Sequence, residues 1–305
     1  MTPEESEQIT AAGASLFQNI SALIFQMGLL GVYILAFIIS MSIILQKENN
    51  GWAHKGLIAL LLAGFAMLTL TTCASFASNL ILVQSGFVVS LSGGLIAEEM
   101  AANLKSNVPD ILSTWSSTTN ALLADIAIVW RAWALFGENR LIRWTIMILL
   151  LLDIGVNIAD DIAATRFTFD SVVINNNITL DWVSTVLNLT VNIVGTSLIG
   201  YRAWTHHKSI HAISRNSKTQ VEKILQLIVE SGAIFGVIQA TNIIFSALDI
   251  HAAGFSPVFN AGFFLDGLYI YSAALSPVML VILIQTGNTY EHSFHLEDVP
   301  SLEIP

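Results

Sequence analysis

ALIFQMGLLGVYILAFIISMSIIL, residues 22–45, carries no charged side chain. A helix that crosses the roughly 30 Å hydrocarbon layer of a bilayer needs about 20 predominantly apolar residues, because no water is available there for backbone N–H and C=O groups. This stretch is long enough and apolar enough to be such a helix. Outward from it, six more runs of similar character follow at 56–83, 111–135, 144–164, 180–204, 222–250 and 258–284. The pattern predicts an all-α integral membrane protein: a seven-transmembrane helix bundle over 22–284, an extracellular amino-terminal tail over 1–21 and an acidic cytosolic carboxyl-terminal tail over 285–305. The polar stretch 84–110, with Gly93, Gly94, Glu98, Glu99 and Pro109, reads as a long outer loop with room for a short surface helix. The first twenty residues hold Glu4, Glu5 and Glu7 but no Lys or Arg, so they do not read as a cleavable signal, and the first apolar helix serves as the insertion signal.

Composition points the same way. Of 305 residues, 54% are hydrophobic and 11% charged, whereas a soluble domain carries about 25% charged residues. The formal net charge of −10 argues against nucleic acid as a partner. The single cysteine, Cys73, lies in an apolar run, so neither an intrachain disulfide nor a thiolate metal site can form.

Lys and Arg set the orientation, since they are retained on the cytosolic side. Lys47 and Lys55 follow the first span, Arg131, Arg140 and Arg143 the third, and Arg202, Lys208, Arg215, Lys218 and Lys223 the fifth. Only Lys105 and Arg166, of twelve bases, fall in the opposite connections. The amino terminus is therefore expected outside and the carboxyl terminus in the cytosol, with the plasma membrane as the expected location. The seven tryptophans, Trp52, Trp115, Trp130, Trp133, Trp144, Trp182 and Trp204, all fall near predicted helix ends, where an indole ring sits at the headgroup layer.

Three strings carry a resemblance: DIAIVWRAWALF at 125–136, GTSLIGYRAWTHH at 195–207 and VEKILQLIVESGA at 221–233. Together they resemble a large family of seven-pass membrane proteins expanded in basidiomycete fungi. The resemblance covers nearly the whole chain in hydropathy. It implies the fold, the topology and a receptor-like architecture, and it implies no activity.

Charged and amide groups inside a membrane are costly and usually face the bundle interior. Asp153, Asn157 and Asp160 or Asp161 share one helical face, as do Thr185, Asn188 and Asn192, and Gln239, Asn242, Ser246 and Asp249. The outer half of the bundle thus has a polar interior. It reads either as interhelical glue or as a vestibule for a small-molecule or lipid ligand, lined by Asp160, Asn188, Gln239, Asn242 and Asp266. In the inner half Asp125 and Glu230 lie at matching depth. They form either a cytosolic latch with Arg131 or a proton or cation site. Pro277 marks either a hinge or a packing kink in the seventh helix. Asn177-Ile178-Thr179 is a glycosylation acceptor pattern in the second outer loop.

The seventh run has no lysine for a retinal Schiff base, and no nucleophile elbow, phosphate loop or zinc motif appears. The chain is read as no enzyme, with no cofactor and no metal. His206, His207 and His211 belong to a solvated basic loop. The leading expectation is a receptor-like protein in a lipid bilayer, binding its ligand in the outer half and engaging a cytosolic signalling protein through basic inner loops. A proton- or cation-coupled transporter using Asp125 and Glu230 and a structural membrane protein without a ligand are the alternatives.

Overall fold

The computed structural model describes residues 3–46, 51–88, 94–137, 139–169, 174–211, 220–250 and 256–297. Among the described residues there are seven α-helices and no strand: α1 (Pro3–Leu45), α2 (Trp52–Val83), α3 (Gly94–Leu135), α4 (Arg140–Phe169), α5 (Ile174–His211), α6 (Gln220–Asp249) and α7 (Pro257–Glu297). A π-helical turn, Gln84–Val88, extends α2.

The helices outrun the expected boundaries. α1 takes in most of the predicted amino-terminal tail, because residues 3–21 are rich in helix-compatible Ala, Glu and Gln and their hydroxyls bond back to the preceding turn, Thr10 to Ser6 O at 2.8 Å and Ser21 to Phe17 O at 2.7 Å. At about 1.5 Å per residue, its 43 residues run about twice the thickness of the hydrocarbon layer. The predicted outer loop 84–110 is largely helix too: α3 starts at Gly94 and passes through Pro109. Proline forfeits its own N–H bond to the carbonyl four residues back and crowds that carbonyl, yet the helix formers Ala101, Ala102, Leu104 and Lys105 and the residues that follow carry the segment through it. α7 likewise covers part of the predicted carboxyl-terminal tail.

Six of the helices contain stretches long and apolar enough to cross a membrane: Ile9–Leu45, His54–Gly86, Arg140–Phe169, Leu180–Thr205, Ile228–Asp249 and Pro257–Ile282. The chain is thus a multi-pass membrane protein. Its packing is inside out relative to a soluble domain: on α4, Leu151 and Leu152 are 60% and 56% exposed while the adjacent Asp153 is 0% exposed. Polar Ser40, Asn120, Asn192 and Asp125 lie among the most buried side chains.

Pair contacts give the register. Thr71–Ser116 and Ser75–Ser113 run α2 antiparallel to α3, and Trp115–Thr165 and Thr118–Asp161 do the same for α3 and α4. Gly200 against Val229 and Gly236 against Asn192 run α5 antiparallel to α6. Helices adjacent in the chain pack on one another, and α7 returns against α1 and α2. Phe25 on Phe264 and Ser40 Oγ donating to Val278 O at 2.9 Å run α1 and α7 parallel.

α3 packs against α2, α4, α5 and α7. That position explains why it alone is not among the apolar spans: its run from Ser113 to Asn120 is almost all hydroxyl and amide, and neighbouring helices supply the partners that lipid could not. Small residues allow the close approach. A Cβ on Gly195 would collide with Ile128 of α3, and one on Gly232 with Thr196 of α5.

Candidate functional site

At the end of the bundle where α4 and α6 finish and α5 and α7 begin, the helices splay around a cavity of about 620 Å³. Its lining includes Thr114, Ser117 and Thr118 from α3, and Asn157, Asp160, Asp161 and Phe167 from α4. α5 adds Asp181, Trp182, Ser184 and Asn188, α6 adds Asn242 and Ser246, and α7 adds Asp266 and Tyr269. Of the five residues that the sequence suggested for a vestibule, Asp160, Asn188, Asn242 and Asp266 line this one space. Gln239 does not. It is buried on α6, and its Oε1 accepts a 2.8 Å hydrogen bond from Asn192 Nδ2, which ties α6 to α5.

Four carboxyl groups face the cavity and are held differently. Asp161 is buried and its Oδ1 accepts from Thr118 Oγ1 at 2.9 Å. Asp160, half-buried, accepts from Ser184 Oγ at 3.1 Å. Asp181 and Asp266 are exposed to the open space. Among the described residues, no Lys, Arg or His belongs to the lining. With apolar and aromatic walls and a few converging polar groups, the cavity has the make-up of a small-molecule site.

Asn157 forms its floor. Its Nδ2 donates to Asp153 O at 2.8 Å, to Asp153 Oδ1 at 3.0 Å and to Asn188 Oδ1 at 2.9 Å. Asn188 Nδ2 is in turn 3.4 Å from the Tyr269 hydroxyl. One level further in, Asp125 of α3 meets Asp153 of α4. Sequence reading placed these two acids in separate groups. The clue that could have paired them is the antiparallel register, which carries Trp115–Thr165 and Thr118–Asp161 on to Asp125 and Asp153.

This arrangement corrects the latch between Asp125 and Arg131. Neither carboxylate oxygen of Asp125 has a hydrogen-bond partner, and the group that it meets is Asp153. Six residues along a helix turn through about 240° net, so Arg131 leaves α3 from a different face. Glu230 is exposed on α6, and α6 makes no backbone-level contact with α3 among the described residues. The inner arginine with clear partners is Arg143. Its guanidinium lies 4.1 Å from the Trp133 ring centroid and donates to Gly137 O at 3.1 Å, closing the turn between α3 and α4.

Pro277 is buried, and α7 continues through it as helix. Asn177 falls in the first turn of α5, not in a loop; its side chain lies outside the described residues, as do those of His206, His207 and His211.

Comparison with protein-family models, with curated protein sequences and with solved structures finds no match for this chain. The cavity and the groups beneath it therefore carry the functional reading on their own.

Proposed function

We propose that the chain is a seven-transmembrane, receptor-like protein of the plasma membrane, with α3 as the seventh span, its amino terminus outside and its carboxyl terminus in the cytosol. It binds a small ligand in the cavity, which this orientation opens to the outside, and signals through its basic inner connections. The observation that carries the reading is the 620 Å³ cavity itself, built by five helices from one polar face each. Its chemistry selects the ligand: Asp160, Asp161, Asp181 and Asp266 face a space whose described lining holds no basic residue, so a small organic cation, such as an amine with an apolar body, is the complement. Trp182, Phe167 and Tyr269 offer aromatic surface to such a cation.

A carrier working through Asp125 and Glu230 finds less support, because one is buried in the bundle and the other is exposed on α6, whose backbone stays away from that of α3 among the described residues. The basic inner connections and the long helices entering them favour a cytosolic partner over a purely structural role.

The test is a melting-temperature series on purified protein in detergent, with amines, neutral isosteres and carboxylates of matched size. A ligand specific to the folded state stabilises it by RT ln(1 + [L]/Kd). Amines should raise the melting temperature with concentration, and Asp266→Asn should weaken that response. Equal responses from all three chemical classes would sink the reading. Glycan acceptors placed between residues 88 and 94 should be modified and those between 211 and 220 left bare; the opposite pattern would overturn the orientation.

A further inference from the structure

We propose that Asp125 and Asp153 form a proton-binding site, in which two carboxyl groups buried between α3 and α4 hold one exchangeable proton in common. The site lies one level beneath the cavity and does not depend on what the cavity binds.

Geometry brings the pair together. Thr118 bonds Asp161 at 2.9 Å and Trp115 bonds Thr165 at 3.0 Å across the same two helices. Seven residues further along α3 and eight back along α4, the same antiparallel register reaches Asp125 and Asp153. They are 1% and 0% exposed. Three of their four oxygens, both of Asp125 and Oδ2 of Asp153, are buried without a hydrogen-bond donor. The fourth, Asp153 Oδ1, accepts from Asn157 Nδ2 at 3.0 Å.

Among the described residues no cation is paired with them. On α3 the next base, Arg131, is six residues on and on another face, while α2 has Lys55 about two turns inward of this level. α4 adds Asn157 and, further out, Asp160 and Asp161. α5 contributes Asn188 and Asn192, α6 Gln239, and α7 the Tyr269 hydroxyl and, towards the mouth, Asp266.

Two full negative charges side by side in such a place repel and are poorly solvated. One proton removes the problem. Taken from solvent, it converts one carboxylate oxygen into a donor, the other accepts as O–H···O⁻, and the charge of the pair goes from −2 to −1. The chain Asp153–Asn157–Asn188–Tyr269 links the pair to the cavity floor, where water can deliver and remove the proton. A metal ion suits the place less well. The Asn157 amide turns its NH₂ towards Asp153, an orientation fixed by three acceptors, so its carbonyl oxygen is directed away from the pair.

The experiment is infrared spectroscopy of the full chain in lipid nanodiscs at pH 7, where a solvated aspartate, with a pKa of about 3.9, is ionised. The C=O stretch of a protonated carboxyl should be present in the wild type and absent from both Asp125→Asn and Asp153→Asn, but retained in Asp266→Asn. A wild type without the band, or a band that survives in both pair variants, overturns the proposal. Should the variants fail to fold, the wild type still decides. Dicyclohexylcarbodiimide, which modifies protonated carboxyls in apolar surroundings, should leave its adduct on Asp125 or Asp153 in a peptide map. Adducts confined to other acids, or labelling of the pair suppressed by sodium chloride but not by choline chloride at constant pH, would show that no proton, or a metal ion instead, occupies the site.

Discussion

Two levels of one seam, where α3 faces α4, show the same residue type in opposite circumstances. At the cavity Asp161 meets Thr118, whose hydroxyl donates to it. Deeper in, Asp153 meets Asp125, and two acceptors face each other with no donor between them. Asp153 and Asp161 are both buried and both lie on the inward face of α4. The difference is only what α3 presents opposite them. A carboxyl group matched with a hydroxyl is a structural tie, whereas one matched with a second carboxyl must recruit something from outside the chain. The seam therefore divides into a packed rung and a responsive one.

Asn157 joins the two levels, and its replacement should have the largest effect. Asn157→Leu strands Asp153 Oδ1 and Asn188 Oδ1, each at a cost of about 1–3 kcal/mol. Unfolding in detergent would measure it, and a loss smaller than that for Thr118→Val would mean that the levels are not linked through this amide.

The next comparison is one of sign. Asp161→Leu removes an acceptor already served by a donor and should destabilise by about 1 kcal/mol. Asp125→Asn supplies the donor that the deeper rung lacks, so it should leave stability unchanged or raise it. If both substitutions destabilise alike, the two rungs do not differ in kind.

At the inner end, Arg143→Ala should cost about 0.5–1 kcal/mol through loss of its place over Trp133, and Arg131→Ala should cost less than that. The reverse ranking in thermal unfolding would restore a structural role to Arg131. Thr118→Val should show the smallest loss among the destabilising changes at the seam, about 0.6 kcal/mol, the typical worth of an interhelical hydrogen bond in a membrane bundle.

Much of the cavity lining is legible in the sequence. Asp160, Asn188, Asn242 and Asp266 stand out because an apolar run interrupted by a charge or an amide every three or four residues must turn that stripe away from lipid. Gln239 obeys the same periodicity yet misses the cavity, since Asn192 on the neighbouring helix takes its carbonyl. Periodicity names the face of a helix. It does not say which neighbour that face will meet.

That the chain is helical and crosses a membrane is legible in its residues alone, because the length of an apolar run and the demand for internal backbone hydrogen bonds are local properties. That α3 packs against four other helices, that its first half is helix despite Pro109, and that Asp125 meets Asp153 instead of Arg131 emerge only from the packed bundle. Those outcomes depend on the register of one helix against another. Side chains from both helices set that register together, and a shift of a single residue on α4 would have turned Asp153 away from α3 by about 100°.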